Sequence, residues 1–105
     1  MSTTIQIRSI LHEGAITGRH SGRVIREAVA QAMPIAGEVV LDFAGINLIT
    51  QSSADEFVGR IVREHQQWLP GLRFVNCAPD VQGMLQWAAN HAFVVYEDHS
   101  QTIPA

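Results

Sequence analysis

Between residues 38 and 43 the chain reads Glu38-Val39-Val40-Leu41-Asp42-Phe43, a nearly continuous apolar run of strand length. Runs of this kind belong to strands covered on both faces, the usual state of parallel strands joined through helices. A segment with helical periodicity lies on each side. Before the run, Val24, Ile25, Ala28, Val29, Ala32 and Met33 recur at helical spacing while Arg26, Glu27 and Gln31 face away. Ser21 is the expected N-cap of that helix, and Pro34 and Gly37 are expected to end it. After the run, Ala54, Phe57, Val58, Ile61, Val62, His65, Trp68 and Leu69 form one face, with Asp55, Arg60, Arg63 and Gln67 elsewhere. Ser53 followed by Glu56 fits a capping box, in which each side chain satisfies an orphan backbone donor. Pro70-Gly71 is the expected stop.

The remaining segments extend the alternation. Thr4 to Arg8 places Ile5 and Ile7 on one side and Gln6 and Arg8 on the other, the pattern of a half-buried strand. His12-Glu13-Gly14 reads as a turn, with Ala15-Ile16-Thr17 returning from it. Leu72 to Cys77 is the next strand. Pro79 then sits near the first position of a third helix, where its missing N–H costs nothing, and Val81, Met84, Leu85, Ala88 and Ala92 supply the buried face. Phe93-Val94-Val95-Tyr96 reads as a last strand, and Glu97 to Ala105 as a polar tail or terminal turn. Strands alternating with helices imply parallel pairing through crossovers. The expected fold is therefore α/β: a small mixed sheet with a parallel core, an early hairpin and three to four helices, one sheet face partly uncovered. Residues 1–105 fit a single domain, since two would leave each too little interior.

Composition removes several functions. Seven Lys+Arg stand against ten Asp+Glu, a net charge of −3, whereas a nucleic-acid surface needs clustered basic charge to displace counterions. No apolar stretch reaches the roughly 18 residues of a membrane span, and Met1-Ser2-Thr3-Thr4 lacks the layout of a signal peptide, so a soluble cytoplasmic protein is expected. Cys77 is the one cysteine, which excludes internal disulfides and four-cysteine zinc sites. His12, His20, His65, His91 and His99 show no metal-ligand spacing, so no metal or other cofactor is expected.

Few residues remain for chemistry. Gly18 to Arg23 places two glycines, Arg19, His20 and Ser21 at a helix start, an ordinary helix beginning or an anion-receiving one, without the Walker ending that nucleotide hydrolysis needs. The flanks of Ser52 and Ser53 are not the strained elbow of a catalytic serine, so no catalytic residue is expected. Asp42, at the end of an apolar strand, either supports the Ser52-Ser53 loop or bonds to loop backbone. The loop itself, Gln51-Ser52-Ser53-Ala54-Asp55-Glu56, is either a cap alone or a phospho-switch. Phosphate there would add close to two negative charges at the favourable end of a helix dipole, beside two carboxylates.

Two local signatures resemble the STAS family, which includes anti-sigma factor antagonists and the cytoplasmic domains of sulfate transporters. Val39-Val40-Leu41-Asp42-Phe43-Ala44-Gly45-Ile46 followed by Ile49-Thr50-Gln51-Ser52-Ser53-Ala54 is similar to the family's strand, Asp, turn and Asp-Ser-Ser/Thr-Gly loop. Leu72 to Val81, with Met84-Leu85 after it, is similar to the strand, Ser-Pro-x-Val turn and Leu-bearing helix. By that resemblance Ser52 occupies the position phosphorylated in antagonist members, with Ser53 as the second choice. Gln51 replaces the family's Asp and Ala54 its Gly, so the chain is closer to a STAS-like branch of unassigned function, whose members are often encoded beside, or fused to, a histidine-kinase-type ATPase domain. The resemblance implies a non-enzymatic, partner-switching module. It would dock a histidine-kinase-like (GHKL) ATPase or anti-sigma serine kinase through Gln51, Ser52, Ser53, Asp55 and Glu56, with Asp42 as loop support. The alternative is a constitutive subunit of a larger assembly, such as a transport complex, with no phospho-switch.

Overall fold

Leu41 pairs with Ile5 on one side and Phe74 on the other, and that row of apolar side chains organises the molecule. The computed structural model describes the backbone of residues 1–101 and the side chains of residues 1–93. In chain order the elements are β1 (Ser2–Gln6), α1 (Ile7–Leu11), β2 (Ala15–Ile16), α2 (Gly18–Ala36), β3 (Glu38–Asp42) and β4 (Leu48–Ile49). Then come α3 (51–64), a 3-10 segment (Gln66–Gly71), β5 (Leu72–Val75) and α4 (Pro79–Gln101). Helix α3 is continuous but changes pitch. It opens as an α-turn (Gln51–Ala54), widens to a π-turn (Asp55–Gly59) and closes as α-helix (Arg60–Glu64).

The main sheet runs β1-β3-β5, all parallel. Its inward face carries Ile5, Leu41 and Phe74 in one row and Val39 with Leu72 in the next. Val39, Leu41 and Phe43 are fully buried and join Ile25 and Val29 of α2, Phe57 and Ile61 of α3, and Val81 of α4 in one core. Phe74 stacks on Phe43 at 6.0 Å and meets Phe57 at 6.1 Å, which locks β5 to α3. Each buried aliphatic or aromatic side chain of this kind contributes roughly 1.5–3 kcal/mol. The outward face, with Val40, Arg73 and Val75, stays partly or wholly exposed, as the small number of helices implied. Glu38 and Arg73 pair across it at 3.1 Å.

Several expectations are corrected. The first strand lies at Ser2–Gln6, not Thr4 to Arg8, because Ile7, Ile10 and Leu11 (spaced three and four apart) turn their apolar atoms inward as a short helix. There is no early hairpin. Ala15–Ile16 is a strand, but it pairs in parallel with Leu48–Ile49 in a separate two-stranded sheet, so among the described residues every strand pairing is parallel and none is mixed. Ser21 is not the N-cap of α2, which begins three residues earlier at Gly18. Pro34 does not end that helix. It sits in the last turn, where losing one backbone bond is tolerated, and the helix stops at Gly37, whose N–H donates to Met33 O. The expected face through Trp68 and Leu69 also breaks early: α3 stops at Glu64, and Trp68 packs from the 3-10 segment, stacked on His65 at 4.0 Å. Phe93-Val94-Val95-Tyr96 is not a strand but part of α4, and the tail from Glu97 continues it to Gln101, its remainder lying outside the described residues. Local β-propensity there yields to a helix already seated by Val81, Leu85, Ala88 and Ala92. No described helix is long and apolar enough to cross a membrane.

Candidate docking site around Ser52

Thr50, Ser52 and Ser53 present three hydroxyls within one turn, and the fold assigns each a different task. Thr50 is the N-cap of α3: its backbone is extended and its Oγ1 accepts from Ser53 N at 3.4 Å. Ser53 is therefore inside the helix, and the expected Ser53–Glu56 capping box does not form. Ser53 is fully buried, and its Oγ–H donates to the carbonyl oxygen of Gly18 at 2.5 Å. Because that carbonyl can only accept, the Ser53 proton is committed to it. Thr50 Oγ1 then donates to Ser53 Oγ at 3.0 Å and accepts from Gly18 N at 3.3 Å, closing a ring of hydrogen bonds between the starts of α2 and α3. Gly18 can offer both backbone groups to this ring because it holds φ at +77°, open to glycine without penalty. Thr50 Oγ1 thus has its proton and both lone pairs engaged, which leaves its contact with Ser52 Oγ a long one, 3.4 Å. Ser52 is half-buried, and its hydroxyl has no other hydrogen bond among the described residues.

The two carboxylates after the serines are both paired with arginines. Asp55 accepts from Arg63 Nη1 at 2.8 Å and from Arg19 Nη1 at 3.1 Å. Glu56 accepts from Arg26 Nη1 at 2.6 Å and from Arg19 Nη1 at 3.4 Å, with Arg60 Nε 4.0 Å away. Arg63 first, and then Arg19, hold the Asp55 carboxyl below its ordinary range against the opposing effect of burial. Arg26 does the same for Glu56, helped by Arg60 and Arg19. Arg26 Nη1 also donates to the Glu56 backbone oxygen at 2.8 Å, clamping α2 to α3. Two glycines make room for this arrangement. A Cβ on Gly22 would fall onto the Ser53 carbonyl oxygen and within 3.1 Å of Glu56 Cβ. A Cβ on Gly59 would stand 2.8 Å from Asp55 Oδ1 and 3.3 Å from Arg63 Nη1, in the corridor through which that pair meets.

A cleft of about 370 Å³ opens beside Ser52, lined by Arg19, Gln51, Ser52, Asp55, Trp87 and His91. Trp87 is 43% exposed and lies flat on His91, with ring centroids 5.1 Å apart and 4° between planes. A second hollow of about 450 Å³ shares Gln51 and Trp87 and continues past Pro79, Gly83 and Met84. Of the residues singled out from sequence, Gln51, Ser52 and Asp55 thus meet in one place, Glu56 stands behind them, and Ser53 lies in the interior. Asp42 is elsewhere. Its Oδ1 accepts from Ala44 N and Asn76 Nδ2, both at 2.9 Å, which lowers its pKa and ties the turn after β3 to the one after β5. It borders a different hollow, about 490 Å³, with Gln6, Arg8, Ser9, His12 and Ala44 at the C-terminal ends of β1 and β3. Cys77 is half-buried, and burial together with the Asp42 charge pushes its thiol up, away from reactive thiolate. Thr50, Trp87 and His91 were missed as site residues, and Arg19 was weighed only as part of an anion-receiving helix start. Thr50 was visible as a hydroxyl preceding the helix, but nothing in the spacing links residue 19 or 87 to residue 52.

No curated protein and no solved structure gives a significant match to the chain. The family model described as a STAS-like domain of unknown function (DUF4325) matches residues 21–82. Arg19, Trp87 and His91 lie just outside that stretch. Within it are most of α2, β3, the serine loop, α3, β5 and the start of α4, which is more than half of the sequence; the chain belongs to this family of STAS-like domains.

Proposed function

We propose that the chain is a non-enzymatic regulatory module that binds a protein partner through the cleft at the start of α3, with Ser52 as its switch. The observation that carries this reading is the division of labour among the hydroxyls. Thr50 caps the helix and Ser53 is consumed in the interior, so Ser52 has no structural duty that would explain it. It stands half-exposed in a cleft next to an exposed tryptophan, and exposed aromatic side chains beside polar rims are typical anchors of protein interfaces. The partner class is a histidine-kinase-like ATPase or serine kinase, as the family resemblance implies, acting on a cytoplasmic protein. The alternative is a constitutive subunit of a larger assembly, such as a transport complex, with no phospho-switch.

The test is affinity capture from the native host, followed by calorimetry of the captured partner with wild type, Ser52→Ala and Ser52→Asp. Ser52→Ala is expected to bind like wild type. Ser52→Asp is expected to weaken binding tenfold or more, because a charge at a desolvated interface costs a few kcal/mol, or over 1.4 kcal/mol at the least. Equal binding by Ser52→Asp would remove the cleft from the interface.

A further inference from the structure

Arg19 is the least committed cation around the cleft. Its side chain is 60% exposed, and a single nitrogen, Nη1, reaches both carboxylates, 3.1 Å from Asp55 Oδ2 and 3.4 Å from Glu56 Oε1. Each carboxylate has a second and shorter partner: Arg63 for Asp55 at 2.8 Å, Arg26 for Glu56 at 2.6 Å. Those two arginines are more enclosed, at 28% and 15% exposure. Arg19 can therefore leave without stranding either carboxylate. Ser52 lines the same cleft, and its hydroxyl gives up only a 3.4 Å contact when its proton is replaced. Of the other lining residues, Gln51 and Trp87 carry no charge and His91 is stacked on Trp87.

Resting on the reading that Ser52 is phosphorylated, we propose that Arg19 is the receiver of that phosphate. The phosphoryl group comes from a nucleoside triphosphate. The Ser52 Oγ–H bond breaks and an Oγ–P bond forms, the proton passes to solvent and the nucleoside diphosphate leaves. The product carries nearly two negative charges and three acceptor oxygens, to which a guanidinium can present two parallel N–H donors. Asp55 offers Arg19 one charge and one bond, and shares it. Arg19 then swings from Asp55 and Glu56 to the phosphate, so modification adds negative charge and also strips a positive charge from the two carboxylates. Asp55 and Glu56 keep their closer partners, Arg63 and Arg26, through the exchange.

The proposal is tested with the domain carrying phosphoserine installed at position 52 during translation, titrated by phosphorus NMR without any partner. Wild type is expected to lose its second phosphate proton about one unit lower in pH than Arg19→Gln, the size of shift an adjacent arginine gives. Arg19→Lys, which keeps the charge but not the fork, is expected to fall between them. Arg23→Gln, which removes an exposed charge one turn along α2, is expected to match wild type, and His91→Gln to leave the gap between wild type and Arg19→Gln intact. If Arg19→Gln titrates like wild type, or Arg23→Gln moves as far, the assignment is overturned. A second readout is the Arg19 side-chain N–H resonance of the wild-type domain, expected to shift on phosphorylation; no shift also overturns it. The partner is absent from these measurements, so their failure is distinct from failure of the docking reading, which Ser52→Asp and the captured partner decide.

Discussion

Ser53 Oγ donates to the backbone oxygen of Gly18, thirty-five positions away in sequence, in a fully buried contact. This bond, not helix capping, defines what Ser53 does, and it sets apart the three hydroxyls of one turn. Ser53→Ala is expected to leave the Gly18 carbonyl without its partner in the interior and to cost about 1–3 kcal/mol. Thr50→Ala is expected to cost about 0.5–2 kcal/mol through loss of the cap. Ser52→Ala should stay within about 0.5 kcal/mol of wild type. Urea denaturation of the three variants checks the order. A Ser52→Ala loss as large as that of Ser53→Ala would mean that Ser52 is structural, and the switch reading would go with it.

The close approach of α2 and α3 gives a second prediction. Gly22→Ala forces a methyl into the Ser53 carbonyl and is expected to destabilise by about 1–3 kcal/mol, as overpacked contacts do. Gly83→Ala serves as the contrast. Gly83 is also helical, but nothing lies within 4 Å of an added Cβ, so the substitution should stabilise by about 0.5–1 kcal/mol through helix propensity. Thermal unfolding of the pair measures both signs, and a neutral Gly22→Ala would show that the helices can move apart freely.

These contacts show where sequence reading was sufficient and where it was not. The run from Val39 to Phe43, the stop at Gly37 and the helix beginning at Pro79 were legible because each depends on its own neighbours: apolar continuity, a residue open to left-handed φ, a missing N–H at a first turn. The cap was not legible. Thr50, Ser52 and Ser53 all have the chemistry, and the choice among them is made by Gly18, which only the fold brings near. Glu56 likewise looked like the far half of a capping box, but Arg26, thirty positions earlier, takes its carboxylate. Phe93 to Tyr96 has strand composition and helical structure, since the faces of a long helix are decided by the residues before it.

The arginine clamp predicts an acid sensitivity with a definite sign. Asp55 and Glu56 are held below their ordinary values of 3.8 and 4.5, so the unfolded chain binds their protons at higher pH than the folded one. The stability they contribute is fully present above the ordinary values and is lost as pH falls through them toward the lowered folded values. Wild type should therefore weaken steadily below about pH 4.5. Arg26→Met, which removes the main cause of the Glu56 shift, should be less stable at pH 7 and show a shallower loss on acidification. Denaturant midpoints from pH 7 to pH 3 read both. Parallel curves for the two proteins would show that Glu56 gains nothing from Arg26.

The exposed Trp87 separates a docking surface from an ordinary surface residue. Its ring lies on His91 at the lip of both hollows, 43% exposed, and it contributes little to the core. Trp87→Ala is therefore expected to change stability by no more than about 0.5 kcal/mol, as surface substitutions do. At an interface the same truncation is a different event. A buried tryptophan anchor is commonly worth about 2 kcal/mol or more, so affinity for the captured partner should fall roughly thirtyfold or beyond. Leu48→Ala supplies the comparison, since Leu48 is 50% exposed and borders neither hollow. It should leave affinity unchanged. Calorimetry on both variants, with unfolding curves beside it, distinguishes lost contact from lost fold. If Trp87→Ala binds as wild type does while Leu48→Ala binds weakly, the partner sits on the β4 side of the molecule and not in the Ser52 cleft.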